Sequence, residues 1–221
     1  MLQTPTKFIP ALRFKILTPL FDPFLQLTVR ELTIKRRLVE QMGIEEGHRI
    51  LDIGCGTATL TILIKRTYPD AEIIGIDIDP KILEIARLKV QKAGMDIRLD
   101  QGSIFELPYA DNSFDRTASS LVIHHITHEN KVRAFKEIFR ILKPGGEMHI
   151  ADFGKSQNAI MYLISSFLGL FEDTSDNIHG LLPQMFREAG FEQVEETARY
   201  ATMLGTISLY KTRKPGYSIP P

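Results

Sequence analysis

The 221 residues are enough for one domain with a full core, and the 27 basic and 27 acidic side chains cancel. No net charge therefore draws the chain to nucleic acid or anionic lipid, and the single cysteine, Cys55, excludes an intrachain disulfide. Residues 1–10 lack the apolar core of a signal peptide, and the most apolar stretch, residues 160–171, is too short to span a bilayer. We expect a cytoplasmic protein.

The first predicted elements are a helix and a strand–helix–strand unit. Asp22-Pro23 combines an N-capping residue with a proline suited to the first helical position, and Gly43 closes that helix. Short β-branched runs at residues 49–53 and 72–78 flank residues 57–68, which have helical spacing. These three segments predict a βαβ unit.

Strands and helices continue to alternate along the rest of the chain. A helix opens at Asp79-Pro80 and closes at Gly94, and another covers residues 129–142 and stops at Pro144-Gly145-Gly146. A last helix ends at Ala189-Gly190. Further strands are predicted at residues 97–99, 115–123, 147–153, 193–200 and 206–211. This order predicts an α/β fold with a mostly parallel sheet, helices on both faces and a closing hairpin at its edge.

The turn after the first strand suits a bound nucleoside. Gly54 and Gly56 carry no side chains, so the backbone can approach a flat ligand closely. Asp52 precedes the first glycine by two residues, where a carboxylate repels a pyrophosphate but attracts a positively charged cofactor. S-adenosylmethionine (SAM) carries an ammonium and a sulfonium, so the loop favours SAM over NAD. Thr59 also stands where the dinucleotide fingerprint has its third glycine.

A second carboxylate supports the cofactor interpretation. Asp77 falls at the tip of the second strand, about 20 residues after the glycines, where it can accept hydrogen bonds from both ribose hydroxyls. The alternative is a glycine-rich turn that only connects a strand to a helix. Two acids and two glycines in the expected register argue against that alternative.

Further motifs follow in a recognisable order: Leu107-Pro108 with Ser113-Phe114-Asp115, then Leu142-Lys143-Pro144-Gly145-Gly146, then Ala189-Gly190-Phe191. With these motifs the chain resembles class I SAM-dependent methyltransferases over residues 44–211, in the small-molecule branch that includes quinone-biosynthesis methyltransferases. The resemblance implies a Rossmann-like, seven-stranded sheet with a C-terminal antiparallel hairpin. It also places the methionyl part and the ribose of SAM against four residues: Asp52, Gly54, Gly56 and Asp77.

The resemblance extends to the adenine and to the methyl-bearing end of SAM. It implies that Ile78 packs on the adenine and that the backbone of Ile104 reaches the ring edge. The family usually has an acid where this chain has Ser103, whose hydroxyl is a weaker acceptor for the adenine amino group. Ser119 and Ser120 are expected near the methionine end, with small packing residues as the alternative.

Two histidines follow the strand predicted at residues 115–123. The C-terminal ends of strands are where open α/β sheets bind ligands. Strand alternation places Ser120 and His124 on one side, which favours His124 over His125 as the base for an acceptor proton. A capping or packing role stays open for both. We expect no metal, because the set His124, His125, His128 and Asp152 straddles a strand end and a turn.

Two apolar segments are left over by the predicted sheet. Residues 8–27 and 160–171 lie where this family places a cap over its acceptor pocket. The chain is therefore divided into a helical cap segment at 1–43 and a SAM-binding domain at 44–221, with a lid insertion at 155–180. Such a cap suits a small apolar or aromatic acceptor. Ordinary core and a homodimer interface are alternatives, and peripheral membrane contact stays open.

The predicted function is SAM-dependent methyl transfer to a small-molecule acceptor. The strand end at residue 123 lacks the Asn/Asp-Pro-Pro-aromatic motif, which argues against methylation of nucleobase amines. A SAM-binding regulatory or scaffolding protein without turnover is the alternative, and only Ser103 supports it.

Overall fold

A seven-stranded sheet organises the part of the chain that this computed structural model describes, residues 31–157 and 175–216. The strands are β1 (Arg49–Ile53), β2 (Glu72–Asp77), β3 (Arg98–Gln101), β4 (Phe114–Ser120), β5 (Leu142–Phe153), β6 (Glu192–Thr202) and β7 (Gly205–Arg213). They lie in the order β3-β2-β1-β4-β5-β7-β6. Neighbours from β3 to β5 are parallel, whereas β7 runs antiparallel to both β5 and β6. The predicted α/β sheet with its closing hairpin is confirmed.

Helices cover both faces of this sheet. They are α1 (Glu31–Gln41), α2 (Thr59–Thr67), α3 (Pro80–Lys92), α4 (His128–Ile141), α5 (Ser175–Ile178) and α6 (Leu182–Glu188). Apolar residues of α4 and α6 pack with Leu51 and Ile53 of β1, whereas those of α1 and α2 pack with Ile50. Because side chains alternate along a strand, Asp52 lies on the same face of β1 as Ile50, beneath α2.

The end of β4 and the start of β5 differ from the prediction. The strand predicted at residues 115–123 is β4 and ends at Ser120, because Leu121 has a φ of 59°, a left-handed conformation that interrupts a strand. A 3-10 turn, Ile123–His125, follows. Strand β5 begins at Leu142, directly after α4, and therefore contains Pro144-Gly145-Gly146 at an irregularity in its pairing with β4.

Several predicted features lie outside the described residues. These are the apolar segment at 8–27, the helix start at Asp22-Pro23 and the apolar part of the lid at 160–171. Helix α1 corresponds to the last part of the predicted first helix, and it ends at Gln41, two residues before Gly43. Among the residues that the structure describes, none of the helices has the length and apolar character needed to cross a membrane.

Helix α5 is attached to α4 by a buried ion pair. Lys131 Nζ donates to Asp176 Oδ2 at 2.9 Å, and the Lys131 side chain is fully buried. The Nδ1 atom of the more exposed His128 lies 2.8 Å from Asp176 Oδ1. Burial acts to raise the pKa of Asp176, but the hydrogen bonds and charges of Lys131 and His128 outweigh it and lower that pKa. The start of α5 is therefore held to the first turn of α4.

Replacing Asp176 with alanine removes the carboxylate that faces the buried Lys131 ammonium. We expect the free energy of unfolding to fall by about 3 kcal/mol, because the Lys131 ammonium stays buried after the Asp176 carboxylate that offsets its desolvation is removed. Urea denaturation measures the loss. The control is Glu40→Ala, which removes the exposed pair between Arg37 and Glu40 and is expected to change stability by less than about 1 kcal/mol. Equal losses in the two variants would contradict the structural importance of the buried pair.

Candidate functional site

The turn between β1 and α2, residues 54–58, is the glycine loop. Its first two N–H groups, those of Gly54 and Cys55, donate to the carbonyl of Ile76 at 2.8 and 3.0 Å, which fixes the loop to the end of β2. Gly54 has a φ of 67°, and a Cβ there would lie 2.5 Å from a Val122 methyl group. Gly56 has a φ of 54°, but a Cβ there would meet no atom within 4 Å. Gly54 is thus required by packing, while Gly56 presents an open backbone to a ligand.

Asp77 ends β2 and connects it to the glycine loop. Its Oδ2 accepts the N–H of Gly56 at 2.9 Å, and its Oδ1 accepts the N–H of Asp79 at 3.0 Å. Burial raises the pKa of this carboxyl group, although these backbone donors act in the opposite direction. Each carboxylate oxygen has more than one acceptor direction, so the group can still bind hydroxyls of a ligand.

Asp52 lies almost completely buried in β1, with 1% of its surface exposed. Its Oδ2 accepts the hydroxyl of Thr61, from α2, at 2.6 Å. Burial raises the pKa of Asp52 to about 6, and Asp77 adds to this, while the Thr61 hydroxyl and the charge of Lys35 act against it. An ionised carboxylate in this position is stabilised by any cation that approaches it.

The residues expected around adenine lie after β2 and β3. Ile78 and Ile104 are half-buried, and Ile104 packs against the main apolar core. The Ser103 hydroxyl accepts the N–H of Phe105 at 3.2 Å, so it stabilises its own loop. Asp100 is engaged by Arg98 Nε and the Tyr109 hydroxyl, each at 2.9 Å.

The two serines near the end of β4 have different surroundings. Ser119 is buried, and its hydroxyl donates to the carbonyl of Ile53 at 2.9 Å, which connects β4 to β1. Ser120 is half-buried at the last position of the strand. Ser119 therefore has a structural contact within the sheet, whereas Ser120 is less buried and lies at the carboxyl end of β4.

His124 lies in the 3-10 turn rather than on the strand, so the alternation argument that favoured it was wrong. The strand ends at Ser120, and Leu121 turns the chain in a new direction. The His124 ring is nonetheless buried, with its Nδ1 atom 2.8 Å from Asp152 Oδ1. The His125 ring lies beside it, with the centroids 4.0 Å apart. Burial and the charge of His124 lower the pKa of His125 to about 3.

The histidines do not converge on a metal site. His128, from the set considered in the sequence, contacts Asp176 instead of Asp152. Among residues 31–157 and 175–216, the side chains of His, Cys, Asp and Glu form no group of three or more that could hold a metal ion.

Four residues of this site were not identified as such from the sequence. Thr61 and Val122 contact Asp52 and the glycine loop, and their apolar surroundings gave no signal beyond ordinary core. Asp152 was considered only within the rejected metal set, although an acid at the end of a buried strand was a signal for its observed role. Asn177 gave no signal, because its contact with Asp152 joins residues 25 positions apart.

Comparison with known proteins found a matching domain family and relatives named as methyltransferases. Residues 50–146 match the methyltransferase domain family. The chain is 26% identical over 220 residues to a demethylmenaquinone methyltransferase of Listeria monocytogenes, covering 88% of this chain and 90% of that protein. It is 34% identical over 121 residues to a ubiquinone/menaquinone biosynthesis C-methyltransferase of Bdellovibrio bacteriovorus, covering 55% of this chain and 51% of that protein.

A solved structure supports the same fold. The phosphoethanolamine N-methyltransferase 2 of Haemonchus contortus, in complex with phosphomonomethylethanolamine and S-adenosylhomocysteine, superposes with a TM-score of 0.68 at 17% identity. The superposition covers 82% of this chain and 52% of that one. Together with the matched domain and the relatives, this confirms the predicted resemblance to class I SAM-dependent methyltransferases.

The raised pKa of Asp52 gives a stability test of the site. A carboxyl pKa that is higher in the folded than in the unfolded state makes stability fall as pH rises between the two values. With a shift from 3.8 to about 6, the ligand-free protein should lose about 2 kcal/mol between about pH 4.5 and about pH 7. Asp52→Asn, whose amide oxygen can still accept from Thr61, should lack this part of the pH dependence. Urea denaturation across this range compares the two proteins, and parallel curves would contradict the assignment.

Proposed function

We propose that this chain, a SAM-dependent methyltransferase, methylates a ring carbon of a small, lipophilic quinol. The observation that carries the proposal is the likeness to a demethylmenaquinone methyltransferase over 88% of this chain and 90% of that relative. Because the likeness extends over most of both chains, it supports an acceptor of the same chemical class. The apolar character of residues 8–27 and 160–171 is in keeping with a lipophilic acceptor.

We propose that the cofactor lies along the glycine loop and the end of β2. The open backbone face at Gly56 would leave room for the methionyl part, and Asp77, which accepts the N–H of Gly56, would bind the ribose hydroxyls. The buried Asp52 would hold the ammonium group through its charge. Ile78, Ser103 and Ile104 would border the adenine, and Ser120 would lie nearer the methionine end.

We propose that the chain contributes orientation and a proton acceptor to the reaction. When bound, SAM would supply a methyl group on a sulfonium, and S-adenosylhomocysteine would leave as the methyl–sulfur bond breaks in line with the attacking ring carbon. Holding the acceptor in line and away from water lowers the barrier to methyl transfer, because the reactants and the solvent need little further reorganisation to reach the transition state. The new bond forms between the ring carbon and the methyl group, and the proton of that carbon must leave. His124 is the proposed base for this proton.

The alternative of a SAM-binding protein without turnover has little in its favour. It rested on Ser103 in place of an acid, and the Ser103 hydroxyl is in use within its own loop. The matched relatives are named as enzymes.

Asp77→Ala tests the proposed cofactor site. Losing hydrogen bonds from both ribose hydroxyls to a charged acceptor, partly replaced by water, should weaken SAM binding by roughly 2–4 kcal/mol. This corresponds to about 30- to 1000-fold in affinity, measured by calorimetry. The control is Glu72→Ala, at the opposite end of the same strand, which should leave affinity unchanged. Wild-type affinity in Asp77→Ala would remove this residue from the site.

The acceptor is tested with methyl-labelled SAM and a short-chain demethylmenaquinol. We expect the label on a ring carbon of the product, identified by mass spectrometry and carbon NMR. Asp77→Ala should lower kcat/KM for SAM, which links turnover to the cofactor site. Label found only on an oxygen or nitrogen atom, or no transfer to the quinol when SAM binds normally, would contradict the proposed acceptor.

A further inference from the structure

Helix α1 carries an ion pair, Glu31 with Lys35, on its packed side. Both side chains are buried, with 5% and 10% of their surfaces exposed, and Lys35 Nζ donates to Glu31 Oε1. Ile34 and Leu38 of the same helix belong to the apolar cluster that covers this face of the sheet. The pair therefore lies among apolar side chains, where Glu and Lys are rarely found.

Stability alone does not account for the position of this pair. Removing two charges from water often costs more than their mutual attraction returns, so apolar residues of similar size are frequently as stable or more stable. Moreover, Glu31 Oε2 is buried and has no hydrogen-bond partner among the residues that the structure describes. A buried ion pair with an unsatisfied oxygen is better explained by a charged ligand beside it.

The Lys35 ammonium acts on a second buried carboxylate, that of Asp52. Helix α1 packs against α2, whose Thr61 hydroxyl donates to Asp52 at 2.6 Å. Ile50, two residues before Asp52 on β1, packs in the same cluster as Ile34 of α1. Burial raises the pKa of Asp52, and the charge of Lys35 acts against this rise. The two helices and β1 therefore bring one ammonium and two carboxylates to the same face of the sheet.

The amino acid group of SAM is complementary to these charges. Its ammonium and carboxylate are attached to one carbon atom, so the protein groups that bind them must lie close together. Asp52 is the proposed partner of the ammonium, and the carboxylate then needs a cation beside it. Since an ammonium has three N–H donors, Lys35 can donate to a second carboxylate while it keeps its contact with Glu31.

We propose that Lys35 binds the carboxylate of the methionyl part of SAM and that Glu31 holds the Lys35 ammonium in position for it. This inference rests on the proposed function, in which Asp52 binds the ammonium, and it adds the partner of the opposite charge. The charges then alternate in sign from Asp52, through the ligand, to Lys35 and Glu31. Each neighbouring pair attracts, and burial strengthens the attraction relative to an exposed site.

The next two basic residues of α1 are unsuited to this role. Arg36 and Arg37 follow Lys35 in the sequence, but both are exposed, and Arg37 donates to Glu40 at 3.1 Å. Because successive residues of a helix are about 100° apart around its axis, a run of three cannot face one ligand. Lys35 is the member of this run that lies on the packed side, and Arg36 supplies a matched control.

The proposal predicts selectivity for a ligand that carries the carboxylate. Decarboxylated SAM keeps the nucleoside, the sulfonium and the ammonium, and it lacks only that group. Its ammonium would lie near the Lys35 ammonium with no ligand anion between them, which is unfavourable. We expect the wild-type chain to bind SAM about 10- to 100-fold more tightly than decarboxylated SAM, the range for one hydrogen bond between charged groups.

Calorimetry with these two ligands on the full chain tests the assignment. It is carried out at about pH 8, where Asp52, with a pKa of about 6, is ionised. Lys35→Met should weaken SAM binding about 10- to 100-fold and leave the affinity for decarboxylated SAM within about threefold of the wild-type value. Arg36→Met removes the same charge from the exposed side of the same helix and should change neither affinity.

The outcomes separate this proposal from the proposed function. Equal weakening of the two ligands in Lys35→Met, or no weakening of either, would overturn the contact with the carboxylate. So would a wild-type chain that binds both ligands equally well. A wrong quinol acceptor would leave the selectivity intact, because the measurement uses no acceptor. Wild-type affinity for both ligands in Asp52→Asn would instead remove the proposed ammonium site, and this inference with it.

A second comparison applies if Lys35→Met does not fold, since that change leaves the Glu31 carboxylate buried without its cation. Thermal unfolding identifies this case. The double variant Glu31→Gln/Lys35→Met, which has neither charge, is then compared with Glu31→Gln alone. The double variant should bind SAM about 10- to 100-fold more weakly, with no such difference for decarboxylated SAM. Equal SAM affinity in these two variants would overturn the proposal.

Discussion

Hydrogen bonds from backbone N–H groups to two carboxylates hold the loops of the site at the carboxyl edge of the sheet. Asp77 accepts from Gly56 and Asp79, and Asp152 accepts from the turn after β4. Both carboxylates end parallel strands, so each loop is fixed to a rigid element. The strand ends and the loops depend on each other, because a buried N–H without an acceptor is costly.

Two buried carboxylates of this site have opposite pKa shifts. Asp52 receives a side-chain hydrogen bond from Thr61, and burial raises its pKa to about 6. Asp152 is as deeply buried, but the neighbouring His124 and the backbone donors lower its pKa. The ionised form of Asp52 is stabilised when a cation approaches it, whereas the ionised form of Asp152 is already stabilised by its surroundings. Asp52 thus suits recognition of a charged cofactor, and Asp152 suits orientation of a neighbouring ring.

The two sides of the site are anchored by different means. On the side proposed for the cofactor, the glycine loop is bound to the end of β2 through the carbonyl of Ile76. On the opposite side, α5 is held by the ion pair of Asp176 with Lys131 and reaches β5 through Asn177. Contacts of the second kind join segments distant in the sequence, and they connect α5 to Asp152, the carboxylate that faces His124. The geometry at His124 therefore depends on tertiary contacts more than the glycine loop does.

The sequence by itself determined the order of elements, the class of sheet and the placement of the glycine loop and Asp77, because these follow from local periodicity and short-range turn geometry. It did not determine that β4 ends at Ser120, since the positive φ of Leu121, which follows it, is imposed by surrounding contacts. Nor did it determine the surroundings of His124. Its partner Asp152, and Asn177, which donates to Asp152, come from elements that only the folded chain brings together, and no spacing along the chain encodes that proximity.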